Sequence, residues 1–128
     1  MNSGLIVDLQ QLLPPDRLFT DPVDCYAYAY DNSRNYHAPV AVVFPINIAE
    51  VASIVQLCNL HKLPVVPRGR GTGTAGGSVP EAGGVVLSLE RMSKIIHVDP
   101  DNRMAIVEPG VLNQALQDAI KGVGFFWP

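Results

Sequence analysis

Five glycines, Gly69, Gly71, Gly73, Gly76 and Gly77, fall within nine positions of this chain. They sit in the run Pro67-Arg68-Gly69-Arg70-Gly71-Thr72-Gly73-Thr74-Ala75-Gly76-Gly77-Ser78, directly after the apolar stretch Leu63-Pro64-Val65-Val66. Residues without a Cβ can turn successive backbone N–H groups inward, forming a concave nest in which an anion meets no side chain. Arg68, Arg70, Thr72 and Thr74 can add charge and hydroxyl donors. A loop of this composition at the end of a strand suits phosphate, and the bland alternative is a tight structural turn.

Three phosphate chemistries can be tested against the loop. A triphosphate-binding P-loop needs GxxxxGK followed by Ser or Thr, and no lysine follows any of these glycines. The dinucleotide fingerprint GxGxxG is present as Gly71-Thr72-Gly73-Thr74-Ala75-Gly76. That motif must open a helix whose N-terminus faces the pyrophosphate. Here Gly77-Ser78-Val79-Pro80-Glu81-Ala82-Gly83-Gly84 follows, and this cannot be the body of a helix. A loop that binds pyrophosphate through backbone amides, with no helix behind it, remains.

Other catalytic groupings are missing from the sequence. His37, His61 and His97 are scattered without metal-ligand spacing, and no triad or paired acid stands out. His61 is accounted for by a helix C-terminus and His97 by a strand face. The tyrosines at 26, 28, 30 and 36 read as packing, Glu108-Pro109-Gly110 as a strand-ending turn, and Asp99 and Asp101 as turn formers. Cys25 and Cys58 read as buried free thiols rather than a disulfide.

The elements that must position the loop follow from the hydrophobic pattern. Leu5, Ile6, Leu9, Leu12 and Leu13 share one helical face over residues 5–13, and Pro14-Pro15 ends that helix. Residues 22–38 read as an irregular arm, although the alternating tyrosines also suit a strand. Val40-Ala41-Val42-Val43-Phe44 is a buried strand. Asn47 and Glu50 open a helix that carries Val51, Ile54, Val55 and Cys58 inward and runs to about Lys62. Pro64-Val65-Val66-Pro67 is the next strand, so strand, helix and strand form a βαβ unit with parallel strands. Val85–Leu89 is a further strand. Ile95–Val98 and Met104–Val107 form an antiparallel hairpin, and a last helix begins at Val111.

The chain of 128 residues has the length of one domain, with 48% hydrophobic and 16% charged residues. A net charge of −3 argues against nucleic acid as a main partner. No stretch approaches the ~20 apolar residues of a membrane span. The N-terminus lacks a basic segment and Asp8 interrupts its apolar run, so cytoplasmic residence is the default expectation.

The chain resembles the FAD-binding domain of the vanillyl-alcohol oxidase and p-cresol methylhydroxylase (PCMH-type) flavoenzymes. Within them it is most similar to the glycolate oxidase FAD subunits and FAD-linked D-lactate dehydrogenases. The resemblance is carried by Pro39-Val40-Ala41-Val42-Val43-Phe44-Pro45, Glu50-Val51, the run from Pro64 to Gly73, Gly76-Gly77, Gly84-Val85-Val86-Leu87, Arg91-Met92 and Val107-Glu108-Pro109-Gly110-Val111. It implies an α+β fold: the N-terminal lobe of that domain, a βαβ unit and mixed sheet with flanking helices. Residues 1–38 would be an N-terminal helix and arm, and residues 39–128 the first part of the FAD-binding domain.

The resemblance further implies that Pro67, Arg68, Gly69, Arg70, Gly71, Thr72, Gly73, Gly76 and Gly77 bind FAD. Amides at Arg68, Gly69, Gly71, Thr72 and Gly73 would hold the diphosphate, and Gly76 and Gly77 would let the chain pass close to the flavin. Thr72 stands where some relatives attach flavin through a histidine, so FAD is expected to be non-covalent. Arg70 stands where relatives often carry a small residue. The implied parent activity is oxidation of a small 2-hydroxy acid such as glycolate or D-lactate, with an iron–sulfur electron-transfer subunit as partner. Relatives continue past the position of Pro128, so the chain is expected to be a fragment lacking the substrate cap and showing no dehydrogenase activity by itself. The alternatives are a standalone phosphate- or nucleotide-binding module and an inactive truncated remnant.

Overall fold

Two β-branched runs organise the molecule: Ala41-Val42-Val43 and Val85-Val86-Leu87 are buried on both faces, as central parallel strands require. The computed structural model describes residues 2–128, apart from the side chain of Ala82; Met1, counted above with the N-terminal arm, lies outside the described residues. The main sheet contains β1 (Leu18–Phe19), β2 (Ala41–Val43), β3 (Val65–Arg68) and β4 (Val85–Ser88), in the order β1-β2-β4-β3. Strands β2, β4 and β3 run parallel, and β1 is antiparallel to β2.

The expected βαβ strands are therefore parallel but not neighbours, because β4 lies between them. Pro67 explains why β3 takes an edge. Val85 N–H donates to Pro64 O at 2.9 Å and Leu89 N–H to Arg68 O at 2.8 Å. The alternation turns Pro67 away from β4, where its missing N–H leaves no gap in the ladder.

Helices α1 (Ser3–Leu12) and α3 (Ile48–Leu60) cover one face of the sheet. Leu5 and Leu9 of the first, with Leu13 just past its end, and Ile54 and Cys58 of the second, pack on Ala41, Val43, Val85 and Leu87. Val51 is partly buried there, whereas Val55, expected on the same face, is 42% exposed. Asn47 caps α3 by accepting the Glu50 N–H at 2.9 Å. The Glu50 carboxylate does not return to Asn47. It accepts the Ile46 N–H at 2.9 Å and the Arg17 guanidinium at 2.5 Å, tying the helix start to the chain entering β1. At the other helix end His61 Nε2 meets Asp8 Oδ2 of α1 at 2.7 Å, a partner beyond the helix dipole.

The opposite face of the sheet is covered by the tyrosine-bearing arm. Its Pro22–Cys25 turn of helix, α2, leads into a 3₁₀ turn at Tyr26–Tyr28. Cys25, Val42, Phe44 and Val86 form a second core, with Phe19 and Tyr28 against it. The arm is irregular, as its composition suggested, and only the single bridge Tyr30–Tyr36 pairs it as strand. Cys25 and Cys58 belong to different cores and are free thiols, each with its pKa raised mainly by burial.

The hairpin β5 (Ile95–Asp99) and β6 (Met104–Val107) is a separate sheet, its turn closed by Asn102 N–H donating to Asp99 Oδ1 at 3.1 Å. Helix α4 (Asn113–Lys121) buries Leu116 and Ile120. Beyond it Phe126 and Trp127 are 76% and 56% exposed, although the Trp127 N–H returns to Gln117 Oε1 at 2.9 Å.

Candidate functional site

β3 delivers the glycine loop at the edge of the sheet, and no helix follows it. Residues 69–80 run through bends and turns to a 3₁₀ turn at Glu81–Gly83, so the embedded GxGxxG lacks the helix a dinucleotide fold requires. Gly71 and Gly76 adopt φ +67° and +80°, a region L side chains rarely enter. A Cβ at Gly73 or Gly77 would have nothing within 4 Å, so the backbone there faces open space.

The amides of this loop are uncommitted. Among the described residues, no N–H from Gly69 to Ala75 donates a hydrogen bond to the protein, whereas the carbonyls of Thr72 and Gly73 are held by Asn32. Buried backbone donors are almost always paired. A run of unpaired donors on a partly exposed, glycine-rich loop is available to the oxygens of an anion.

The two arginines do a different job from the one their position suggests. Arg68 closes β3 in register with Ser88 and is only 8% exposed. Its Nη1 donates to Tyr30 O at 2.7 Å, its Nη2 to Ala27 O at 3.3 Å, and its guanidinium carbon lies 5.6 Å from the Tyr28 ring centroid. Arg70 donates through Nε and Nη2 to Gly110 O, at 3.0 and 2.8 Å. Both side chains fasten the loop to its surroundings. Gly110 is itself wedged: a Cβ there would lie 2.3 Å from Leu89 O and 2.8 Å from Met92 O.

The arm residues Asp31, Asn32 and Ser33 also touch the loop, and the sequence reading had not singled them out. Asn32 donates its backbone N–H to Gly73 O at 3.0 Å and its Nδ2 to Thr72 O at 3.1 Å. Asp31, 5% exposed, accepts the Ser33 N–H at 2.8 Å and approaches Ser78 Oγ at 3.5 Å. Hydrogen bonds from Ser33 foremost hold its carboxyl below the ordinary aspartate pKa. The Asp-Asn-Ser string was the available signal, since Asp commonly accepts the N–H two residues on. Behind the arm, Tyr28 donates to Glu90 at 3.0 Å, and burial first, then this bond, pushes its pKa up to about 12.

Of the residues expected to bind, Gly69, Arg70, Gly71, Thr72, Gly73, Gly76 and Gly77 lie in one irregular loop, and Pro67 and Arg68 form the strand end that delivers it. No grouping of three or more metal-ligating side chains occurs among the described residues. An apolar cavity of about 300 Å³ lies elsewhere, between the hairpin, α4 and the aromatic tail, and no residue of the glycine loop lines it.

Residues 39–128 match the FAD binding domain family. The chain belongs to that family. It is 36% identical over 121 residues to the glycolate oxidase subunit GlcD of Bacillus subtilis, covering 94% of this chain and 26% of that protein. A D-lactate dehydrogenase of Archaeoglobus fulgidus is 42% identical over 107 residues, covering 80% of this chain and 24% of the relative. The solved structure of p-cresol methylhydroxylase with substrate bound matches 94% of this chain and 24% of its own, with a TM-score of 0.82 at 31% identity. The α+β architecture is that of a PCMH-type FAD-binding domain, and the chain spans about a quarter of the length of these relatives. Among the described residues no helix is long and apolar enough to cross a membrane.

Proposed function

We propose that the loop from Gly69 to Gly77 cradles the diphosphate of FAD, and that the chain serves as the FAD-holding part of a flavoenzyme acting on a small 2-hydroxy acid. The observation that carries this reading is the run of amide donors from Gly69 to Ala75 without a protein partner, in a chain of the FAD binding domain family. The amides of Gly69, Gly71, Thr72 and Gly73 supply the donors, with the Thr72 hydroxyl beside them. Pro67 and Arg68 bring the loop off β3, and Arg70 holds its middle against Gly110. Gly76 and Gly77 keep the chain thin where the flavin passes.

FAD, when bound, supplies the two-electron acceptor that oxidation of a hydroxy acid requires. The residues of this chain bind and orient it. The hydroxyl of Thr72 offers no ring nitrogen for a bond to flavin, so the cofactor is held without one. Oxidation of glycolate or D-lactate fits the activities named for the relatives, and an iron–sulfur electron-transfer partner fits the naming of one relative as a subunit. Cytoplasmic residence belongs to the same proposal.

Titration of the chain with FAD, ADP and inorganic phosphate, read by flavin fluorescence and calorimetry, tests the reading. FAD is expected to bind more tightly than ADP and ADP more tightly than phosphate, weakly overall and with no hydroxy-acid oxidation by the chain alone. Acid precipitation should release all flavin into the supernatant. Equal affinity for all three ligands would favour a generic phosphate module, and no binding of any would leave an inactive remnant.

A further inference from the structure

We infer that Asn32 is a positioning residue that aims the amides of the glycine loop into the anion site. The inference rests on reading the loop as a diphosphate cradle. A trans peptide is planar, with the C=O of one residue pointing opposite to the N–H of the next. The Thr72 carbonyl is held by Asn32 Nδ2 at 3.1 Å and the Gly73 carbonyl by the Asn32 backbone N–H at 3.0 Å. Two consecutive peptide planes are thus fixed with their oxygens toward the arm. The N–H groups of Gly73 and Thr74, the other ends of those planes, point away from it.

Without the side-chain donor the Thr72–Gly73 plane is free to rotate, while the Asn32 backbone N–H still holds the next one. Gly73 carries no side chain to resist a flip, and glycine visits both signs of φ with similar ease. A flipped plane presents a carbonyl oxygen to the anion in place of an N–H. Asn32 is itself well anchored, because the neighbouring Asp31 carboxylate is fixed by the Ser33 N–H and Ala29 O accepts the His37 N–H at 2.9 Å across the arm. Its side chain lies at the surface, so replacing it leaves both cores untouched.

The test uses the chain with Asn32→Ala, which removes the side-chain donor, and Asn32→Asp, which sets an acceptor against the Thr72 carbonyl. Residual dipolar couplings of the ¹⁵N–¹H pairs report amide orientation directly. That of Gly73 should change in both variants, more in Asn32→Asp, while Thr74, whose plane the Asn32 backbone N–H still holds, changes less and the couplings of β2 and β4 stay as they were. An unchanged coupling at Gly73 in Asn32→Asp overturns the inference. Inorganic pyrophosphate, followed by amide shifts, should bind the Asn32→Asp chain about tenfold more weakly and the Asn32→Ala chain by an intermediate factor. Equal affinity in all three chains also overturns it. A parent chain that responds to neither pyrophosphate nor FAD overturns the cradle reading instead, and the couplings then decide alone whether Asn32 orients the loop.

Discussion

Gly71→Ala tests whether the glycine loop and the buried arginine behind it are one mechanical unit. A Cβ at Gly71 would lie 2.0 Å from Arg68 Nη2, 2.3 Å from Cζ and 2.7 Å from Nε. Ordinary contact needs about 3.5 Å, so the guanidinium must retreat by about 1.5 Å. That movement breaks its bonds to Tyr30 O and Ala27 O, and at 8% exposure water cannot replace them. Hydrogen bonds to a charged group are worth about 1.5–3 kcal/mol each. The second one here is long, so their joint loss is set at about 3 kcal/mol. The left-handed backbone at Gly71 adds about 1 kcal/mol for any L residue. Gly71→Ala is therefore expected to cost about 4 kcal/mol, and Arg68→Ala, which forfeits the same bonds, about 3–4 kcal/mol.

In the double variant the clash is gone and only the backbone strain is added, so its cost exceeds that of Arg68→Ala by about 1 kcal/mol. The sum of the single effects then overshoots the double by about 3 kcal/mol. Urea unfolding, at one fixed osmolyte concentration that keeps every variant folded, measures all four corners of the cycle. Additivity within about 0.5 kcal/mol would refute the reasoning, because it would mean that Gly71 is required for its φ alone.

Three further outcomes follow from the packing. Ser88 Oγ is fully buried and has no partner among the described residues, so Ser88→Ala should raise stability by about 1 kcal/mol; a loss in urea unfolding would show that the hydroxyl is satisfied. Arg17 foremost holds the Glu50 carboxyl below its ordinary pKa. The stability this adds is present above about pH 4.3 and is lost as pH falls through the lower folded-state value. Glu50→Gln should therefore cost about 1–2 kcal/mol near neutrality, with a gap to the parent that closes under acid, and a gap independent of pH would contradict the ion pair. Cys25 and Cys58 have thiol pKa values raised by burial, so a disulfide reagent should modify the native chain only as fast as it unfolds; rapid labelling of either would contradict their burial.

The central strands were legible because β-branched residues in short runs can do little else, and α1 because its leucines recur every four residues. The strand order was not. Local pattern says that β2 and β3 are parallel, but not that β4 enters between them; Pro67 was the available sign that β3 belongs at an edge. β1 escaped notice because Leu18-Phe19 is too short to show a period. The loop itself was legible in its glycines. Its supports were not, because an arginine that binds phosphate and one that clasps a carbonyl look the same in sequence, and the arm that meets the loop lies some forty residues upstream.

Two cations within a glycine-rich run invite the reading that they hold the phosphate. The geometry divides the work differently. Arg68 ties the start of the loop to the arm, Arg70 ties the next residues to Gly110, and Asn32 takes the carbonyls of Thr72 and Gly73. All three act on carbonyl oxygens, either of the loop or of what the loop must rest against. A free loop with this much glycine would lose considerable entropy on closing around an anion. Fixing it from behind removes part of that cost before any ligand arrives and leaves the N–H groups as the unpaired ones. On the proposed diphosphate cradle, the glycines would make the concavity and the polar side chains would keep its donors facing out.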